Sequence, residues 1–323
     1  MMSPEYNEYR ELIKKGQYIK AVHLAEMAYL EGNRNNPFWL TRQAAALSRA
    51  GKYDQGYGIA KQALALKPSN PYSILAVAEA LSGLNRLDEA LQYYEEIAQD
   101  PKLSLYARRG MLYCLSELKQ WDRMLQLLGQ WEMPPAASLQ WKVKALTGQD
   151  RLQEAMEACR QWLEIEPDNR QGMWALTELE IQRDGLEAVL KKMGRLAKIG
   201  SRPPVYKEIY ASLCRRAGQS ELALKQYEQL TQTGAQPWIL RQQAFALKKA
   251  GKELEAIPML EELLKLDPKD FYLHSSYISA CKKSRQIDRA LDFYENLVEL
   301  HPDEKPLYGR IKKLQKLLNV PSS

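Results

Sequence analysis

The histidines and cysteines are the residues of this sequence that could support nucleophilic or metal chemistry. His274 and Cys281 are seven residues apart in one apolar segment, which would place both side chains on one helical face, as a Cys-His nucleophilic pair requires. Nothing near them supplies an orienting third group or oxyanion donors, so we interpret the pair as a packed histidine beside a core thiol. Neither His23 nor His301 has a partner at metal-ligand spacing, and the sequence predicts no metal and no other cofactor.

The remaining cysteines also lack a reactive setting. Cys114, Cys159 and Cys214 lie far apart, each inside an apolar helical pattern, and no Cys-x-x-Cys spacing occurs. The segment "GYGIAKQ" (56–62) is only superficially similar to a phosphate-binding loop, because it lies within a helical pattern. The sequence therefore predicts four buried, reduced thiols and a protein that is not an enzyme.

The composition is that of a folded, helical chain. Hydrophobic residues make up 45% of the 323 residues and charged residues 27%, far from the signature of disorder. The formal net charge of +6 is too small to imply, by itself, a nucleic acid or an anionic membrane as partner. No apolar run is long enough for a signal-peptide core or a membrane span, so we expect a cytoplasmic protein.

One pattern recurs along the chain with a period of about 34 residues. The segment "NRLDEALQYYEEI" (85–97) returns as "RQIDRALDFYENL" (285–297), with aliphatic, small and aromatic residues in the same slots. Each copy follows a segment with its own 3.6-residue apolar period, such as "SILAVAEALSGL" (73–84), across a short turn. The repeated element is therefore a helical hairpin, in which we expect Asp88 to cap the second helix and Ala90 to let the two helices approach closely.

This pattern resembles the tetratricopeptide repeat, a helix-turn-helix of about 34 residues with small side chains where the helices cross. The resemblance implies an all-α fold, a right-handed α-α superhelical solenoid of tetratricopeptide-type hairpins, as a single array over residues 1–323. The small position of the second helix holds Ala or Gly in seven of nine repeats and Met124 and Val189 in the other two. We expect repeats near 2–36, 37–70, 71–104, 105–135, 136–169, 170–203, 204–236, 237–270 and 271–304, and a capping helix at 305–319.

The last segment is expected to cover the apolar face of the final hairpin, which would otherwise be exposed to water. In "PLYGRIKKLQKLL" (306–318), Leu307, Ile311, Leu314 and Leu318 form one stripe and basic residues occupy the other face. The sequence predicts that all four of these side chains face the preceding hairpin.

The resemblance also indicates where a ligand would bind. First helices of this family line a concave groove with the second, fifth, ninth, twelfth and thirteenth positions of each repeat, and here these positions carry twelve basic and three acidic residues. Lys and Arg are also favoured at helix ends by the helix dipole, so the alternative that these cations serve only the helix end stays open. The candidate groove residues are Arg49, Tyr72, Tyr106, Arg109, Tyr113, Arg215, Arg216, Trp238, Arg241, Phe245, Lys248, Lys249, Tyr272, Lys282 and Lys283. The same mapping also includes Tyr6, Arg10, Lys14, Thr41, Glu79 and Glu208.

The sequence thus predicts a non-enzymatic scaffold for a protein or peptide partner, an extended and acidic segment held by charge-assisted hydrogen bonds and aromatic faces. A second interpretation is an RNA-binding helical-repeat protein, because aromatic residues in a basic groove could stack bases. The fifth positions of the repeats do not carry a code of short polar residues, which disfavours nucleic acid. A third interpretation is a regulatory or helper subunit of an enzyme complex, and self-association is also left open.

Overall fold

The computed structural model describes residues 4–32, 34–199, 203–232, 236–302 and 304–318, and all regular secondary structure within these ranges is helical. The chain divides into two compact parts, here called the N-terminal half (Met1–Pro167) and the C-terminal half (Asp168–Ser323). The N-terminal half contains α1 (Pro4–Lys14), α2 (Tyr18–Glu31), α3 (Phe38–Arg49), α4 (Tyr53–Leu66), α5 (Pro71–Gly83), α6 (Leu87–Glu96), α7 (Ser104–Glu117), α8 (Trp121–Gln130), α9 (Pro135–Gly148) and α10 (Leu152–Ile165). The C-terminal half contains α11 (Arg170–Asp184), α12 (Leu186–Leu196), α13 (Val205–Arg216), α14 (Ser220–Gln232), α15 (Pro237–Lys249), α16 (Glu253–Leu266), α17 (Phe271–Lys283), α18 (Ile287–Leu300) and α19 (Lys305–Leu318).

Each helix packs against the next helix along the chain within both halves. In the N-terminal half α3 also contacts α5, α5 contacts α7, and α7 contacts α9, so the first helices of successive hairpins touch one another. In the C-terminal half α13 contacts both α11 and α15 in the same way. These contacts confirm the predicted fold class in each half, an all-α solenoid of tetratricopeptide-type hairpins. A single array over residues 1–323 stays a prediction.

Every described hairpin turn contains one residue in the left-handed backbone region, with φ between 56° and 84°. Five of these residues are glycines, which adopt this conformation without strain. After the turn at residue 85, the backbone N–H of Arg86 donates to the carbonyl of Leu81 at 2.9 Å, which satisfies a carbonyl at the end of α5. A residue other than glycine in this backbone region costs about 1 kcal/mol of conformational free energy. The turn geometry imposes this cost at four positions. These positions are Asn85, Lys119, Asp150 and Arg285.

A small side chain in each second helix allows the two helices of a hairpin to approach closely. All nine positions predicted for this role are buried, including Gly56 and the larger Met124 and Val189 of the two divergent repeats. Larger side chains fill the seam on either side of the small one, and each contributes about 1.5–3 kcal/mol by leaving water. The buried seam residues around Ala90 are Leu87, Leu91, Tyr94 and Ile97, as predicted.

The expected cap at Asp88 was wrong. Helix α6 begins at Leu87, and Arg86 occupies its N-cap position without any side-chain cap hydrogen bond. Asp88 lies instead in the first turn of the helix, where its negative charge interacts favourably with the helix dipole. Side-chain caps occur on first helices, where an Asn or Asp accepts hydrogen bonds from backbone N–H groups. The capping residues are Asn70, Asn169 and Asp270.

Helix α19 packs against α18 at the end of the C-terminal half. Leu307 and Leu314 are buried as predicted, and Ile311 is partly buried. Leu318 is 37% exposed, so its predicted place in the buried stripe was wrong. Because Leu318 follows Leu314 by four residues on the same helix face, the last turn of α19 extends beyond the surface that it covers. Residue 319 of the predicted capping helix lies outside the described residues.

The histidine and the thiols that could have been reactive are packed in the cores. All four cysteines are free and buried, and burial raises the pKa of Cys159 to about 12. His274 is buried, with Nδ1 2.8 Å from the Tyr294 hydroxyl and Nε2 2.9 Å from the Pro268 carbonyl oxygen. These contacts confirm the interpretation of His274 as a packed residue. Among the described residues no group of three or more His, Cys, Asp and Glu could hold a metal ion.

A helix that crosses a bilayer needs a characteristic length and apolar character. Residues of a membrane-spanning helix must form about 20 consecutive, predominantly apolar positions. None of the helices within the described ranges meets this requirement.

Two glycines on helices of the N-terminal half provide a matched test of the packing. A Cβ atom on Gly110 of α7 would lie 2.3 Å from the Tyr94 ring, whereas one on Gly58 of α4 would meet no atom within 4 Å. Alanine is favoured over glycine in a helix by about 1 kcal/mol. We therefore expect Gly58→Ala to raise the free energy of unfolding by about 0.5–1 kcal/mol, and Gly110→Ala to lower it by about 1–3 kcal/mol because the ring must shift. Chemical denaturation measures both changes, and a stabilised Gly110→Ala variant would contradict the ring contact.

The burial of His274 predicts a pH-dependent stability. Burial lowers the pKa of His274, and the nearby Arg310 also lowers it, while the Pro268 carbonyl opposes the shift. The stabilising contribution of the neutral ring is fully present above the ordinary histidine pKa of about 6.5 and is lost as the pH falls toward the lower pKa of the folded state. Between about pH 7.5 and about pH 5, we expect the free energy of unfolding of the wild type to fall more than that of His274→Gln. Equal pH dependence in denaturant titrations of the two proteins would show that His274 is not held neutral.

Candidate functional site

A cleft of about 680 Å³ lies on the first helices of the N-terminal half. Its walls come from α1, α3 and α5, from the start of α7 and from the turn that precedes α7. Among these helices α5 contacts both α3 and α7, and the Tyr6 ring of α1 packs against the Phe38 ring of α3. Among its described lining residues Glu79 is the single acidic one, and five are cationic. The cationic residues are Arg10, Lys14, Arg42, Arg49 and Lys102.

The cleft brings together part of the set that the sequence predicted. Arg49, Tyr72 and Tyr106 all line it, and Tyr106 is 60% exposed. Arg109 and Tyr113 lie farther along α7 and are exposed, but they do not line this cleft. Further mapped positions that line it are Tyr6, Arg10, Lys14, Thr41 and Glu79.

Arg42 is surrounded by aromatic rings, although the sequence mapping did not include it. Its guanidinium carbon lies 4.6 Å from the centroid of the Phe38 ring and 5.6 Å from those of Tyr6 and Tyr72. Each such cation–π contact contributes about 0.5–1 kcal/mol at an exposed site. The Tyr9 hydroxyl donates to the carbonyl oxygen of Arg42 at 2.8 Å, so the backbone of this residue is held as well. The guanidinium is therefore positioned before any ligand arrives.

Arg42 and Lys102, which the sequence mapping missed, differ in how they could have been found. Phe38 and Arg42 are four residues apart on α3, a spacing that places both on one helix face and that could have indicated their contact. Lys102 lies in the turn before α7, outside any helical period, and no spacing rule points to it. Its place in the cleft follows from the packing of α7 against α5.

Glu79 has an environment unlike that of the surrounding cations. Burial raises the pKa of its carboxyl group, and the nearby Arg49 opposes this shift. The residue as a whole is exposed, although the cleft walls crowd its carboxyl group. Glu79 therefore takes up a proton at a higher pH than an ordinary glutamate does.

The other candidate residues lie on first helices of the C-terminal half, and internal partners occupy many of them. Arg216 forms an ion pair with Glu178 at 2.5 Å. Similar pairs join Arg241 to Asp270 at 2.6 Å and Lys283 to Glu253 at 3.3 Å, and the Lys249 ammonium donates to the Arg215 carbonyl at 2.8 Å. The candidates in this half are Arg215 and Arg216 on α13, Trp238, Arg241, Phe245, Lys248 and Lys249 on α15, and Tyr272, Lys282 and Lys283 on α17.

Arg170 on α11 joins two of the mapped positions, although its repeat was too divergent to map from sequence. Its guanidinium carbon lies 3.7 Å from the centroid of the Trp238 ring, and its Nε donates to a Glu208 carboxylate oxygen at 2.9 Å. Burial raises the pKa of Glu208, and Arg170 opposes that shift. Burial also lowers the pKa of Lys248, and the neighbouring Lys283 lowers it further. Much of the positive charge on the first helices of this half is therefore already compensated.

Comparisons with solved structures found similar helical-repeat proteins at low sequence identity. The TPR domain of P58(IPK) is 17% identical, with 97% of each chain covered and a TM-score of 0.31. The C-terminal part of a TPR repeat-containing protein from Cytophaga hutchinsonii is 14% identical, with 84% of this chain and 98% of that chain covered and a TM-score of 0.47. A tetratricopeptide repeat protein from Parabacteroides merdae is 11% identical, with 86% and 98% covered and a TM-score of 0.38. A search of curated proteins found no significant match.

A family model gives a direct match in sequence. The model described as "Tetratricopeptide repeat" matches residues 41–104, which contain α4, α5, α6 and most of α3. Hairpins of the same construction, with one left-handed turn residue and one buried small position, precede and follow this segment. Residues 41–104 therefore match the tetratricopeptide repeat family in sequence, and the hairpins on either side repeat the construction of this segment.

Proposed function

We propose that this protein is a non-enzymatic scaffold that binds an extended, acidic segment of a partner protein in the cleft of the N-terminal half. The tetratricopeptide repeat fold is that of protein–protein interaction scaffolds. The observation that carries the finer proposal is the charge of the cleft, where five cations face one carboxyl group among the described lining residues. An acidic segment would offset this charge, and its aliphatic portions would contact the aromatic walls.

Arg42 is the residue best suited to contact a carboxylate of the ligand. Its guanidinium is already ordered by Tyr6, Phe38 and Tyr72, so little further side-chain entropy is lost on binding. Guanidinium and carboxylate groups form short, paired hydrogen bonds, which are about twice as strong as bonds between neutral groups. Tyr106 is largely exposed and offers a rigid aromatic surface to a neighbouring apolar side chain.

The first-helix cations of the C-terminal half form a second proposed contact surface for acidic segments. Lys282 is exposed, and Lys248 and Lys283 are close enough for each to affect the charge of the other. Internal ion pairs at Arg216, Arg241 and Lys283 reduce the charge that a ligand could use. We therefore expect this second surface to contribute less than the N-terminal cleft.

Single-stranded RNA is the competing ligand, because the exposed rings of Tyr72 and Tyr106 could stack unpaired bases. Its phosphates would be drawn to the same cations as an acidic peptide. The two ligands differ in the groups that carry the negative charge, and a comparison of their affinities distinguishes the two functions.

Reversing the charge at the centre of the cleft tests the proposal. We expect the double variant Arg42→Glu and Arg49→Glu to bind a fluorescein-labelled peptide of mixed Asp, Glu and Leu roughly 30-fold or more weakly than the wild type, since two charge-assisted contacts become repulsive. Fluorescence anisotropy measures the affinity. Labelled oligouridine, tested in parallel, reports any binding of RNA.

The matched control is Lys20→Glu with Lys61→Glu, two exposed positions on the second helices α2 and α4. It changes the net charge by the same amount, so it should retain the affinity of the wild type to within about threefold. Equal losses in both double variants would mean that only the total charge of the protein matters. Tighter binding of oligouridine than of the peptide would replace the peptide function with RNA binding.

Glu79 should oppose the binding of acidic segments when it is ionised. Since its pKa is raised, lowering the pH from about 8 toward the acid range protonates a larger fraction of Glu79 than of the Asp and Glu side chains of the peptide, whose ordinary pKa values are about 4. We expect the wild type to bind the acidic peptide more tightly at the lower pH. Glu79→Gln should bind more tightly than the wild type at pH 8 and respond less to pH. A titration with the same slope in both proteins would exclude this role.

A further inference from the structure

A second hollow, of about 590 Å³, lies in the C-terminal half among α12, α13 and α14. Its volume is in the range of about 300–1,000 Å³ that is typical of small-molecule sites. Three lysines line it, together with the ring of Tyr210 and the side chain of Leu222. The remaining described lining residues are neutral, and the hollow therefore has positive charge without any acidic lining residue.

Lys198, Lys207 and Lys225 have no ion-pair partner among the described residues, unlike nine other cations of the C-terminal half. No described carboxylate lies within ion-pairing distance of any of the three. Elsewhere in the same half, cations pair with carboxylates at distances from 2.5 to 3.7 Å. The cations that are paired in this way are Arg170, Arg183, Lys192, Arg216, Arg241, Lys252, Lys269, Lys283 and Arg289.

The hollow faces a different direction from the predicted peptide groove. Lys207 and Tyr210 are three residues apart on α13 and share one face of that helix. The groove positions of the same helix include Glu208, Arg215 and Arg216. At about 100° per residue, the centres of the two sets are separated by roughly 150° around the helix axis. A ligand in the hollow would therefore not compete directly with a peptide in the groove.

Helix α12 and the turn that follows it shape one side of the hollow. Helix α12 has 11 residues, whereas α16 and α18 each have 14. The early end of α12 leaves Ala197 and Lys198 in the turn that follows it, and both line the hollow. Gly194 lets the Tyr210 ring pack directly on α12, because a Cβ atom there would lie 2.9 Å from the ring. The early end of α12 and the absence of a side chain at Gly194 thus both shape the hollow.

From these observations we propose that this hollow is a binding site for a small molecule that carries a diphosphate group. Lysine ammonium groups act as point charges for phosphate, and two phosphate groups carry roughly the charge that three lysines would balance. The Tyr210 ring and Leu222 provide an apolar wall for the organic part of the ligand. The amide side chains of Gln226 and Gln229 add hydrogen-bond donors and acceptors at the same site.

Isothermal titration calorimetry of the full chain with inorganic pyrophosphate and with ADP tests this site. We expect Lys207→Gln with Lys225→Gln to weaken the binding of both ligands roughly tenfold or more, because two of three charge contacts are lost. The control variant, Lys265→Gln with Lys312→Gln, removes the same charge from exposed positions on α16 and α19 and should leave both affinities unchanged. Thermal unfolding monitored by circular dichroism checks that all variants are folded.

The relative affinities for ADP and pyrophosphate show which part of the ligand the site recognises. Equal affinities for ADP and pyrophosphate would support the proposed site and would show that it recognises the diphosphate group alone. Tighter binding of ADP, reduced to the level of pyrophosphate by Tyr210→Ala, would support the site with the ring as an additional contact. The proposal is overturned if neither ligand binds, or if the pocket and control variants bind equally well. It is also overturned if Lys207→Gln with Lys225→Gln weakens only the binding of an acidic peptide, since the lysines would then belong to the peptide surface.

Discussion

The close approach of the two helices in each hairpin is the constraint on which the rest of the structure depends. It requires a small side chain in the first turns of the second helix, and Ala21, Ala90 and Ala223 have no exposed surface at this position. Large side chains can then fill the seam beside the small one, as Tyr94, Tyr227 and Tyr294 do at one repeated position. The left-handed turn residue joins the helices at a spacing that this contact permits. Because these seam residues are closely packed, they are not available to contact a ligand.

This constraint divides the residues of each repeat into two groups. Those that recur from repeat to repeat are buried in the seams, whereas the first helices keep faces whose side chains are free to differ. The cleft of the N-terminal half is built from such variable residues, among which Arg42 and Lys102 have no equivalent at the corresponding positions of the other repeats. The hollow beside α12 follows the same logic in the C-terminal half, because it lies where the repeat pattern is least regular. The two candidate binding sites of this protein thus lie where the sequence varies from repeat to repeat.

Much of the fold could be predicted because periodicity and small-residue spacing are local signals. The seam around Ala90 and the burial of Cys159 and His274 follow from such signals. Asp88 was misassigned as a cap because its residue type suits that role, but helix α6 begins one residue before it, at Leu87. Residue preference alone does not fix a helix boundary to within one position.

The candidate site was less predictable, because its contacts join residues from different repeats. Mapping by family positions found Tyr6, Arg49 and Tyr72, which lie on the expected helix faces. It missed Arg42, whose role depends on rings from three hairpins, and Arg170, whose repeat was too divergent to align. Nor could the sequence show which basic positions are neutralised, since the pair of Arg241 with Asp270 and that of Arg216 with Glu178 link residues 29 and 38 positions apart. Compensation of charge is a property of the packed repeats.

The most direct test of the central claim is to observe which residues an acidic peptide touches. Transverse-relaxation-optimised NMR spectra of the isotope-labelled protein, recorded with increasing amounts of the peptide, report each perturbed backbone amide. The account predicts that the largest shifts fall on the first helices α1, α3 and α5 and at the start of α7, centred on Arg42, with small changes on α2, α4 and α6. Shifts that fall mainly on those second helices, or a spectrum that the peptide leaves unchanged, would contradict it.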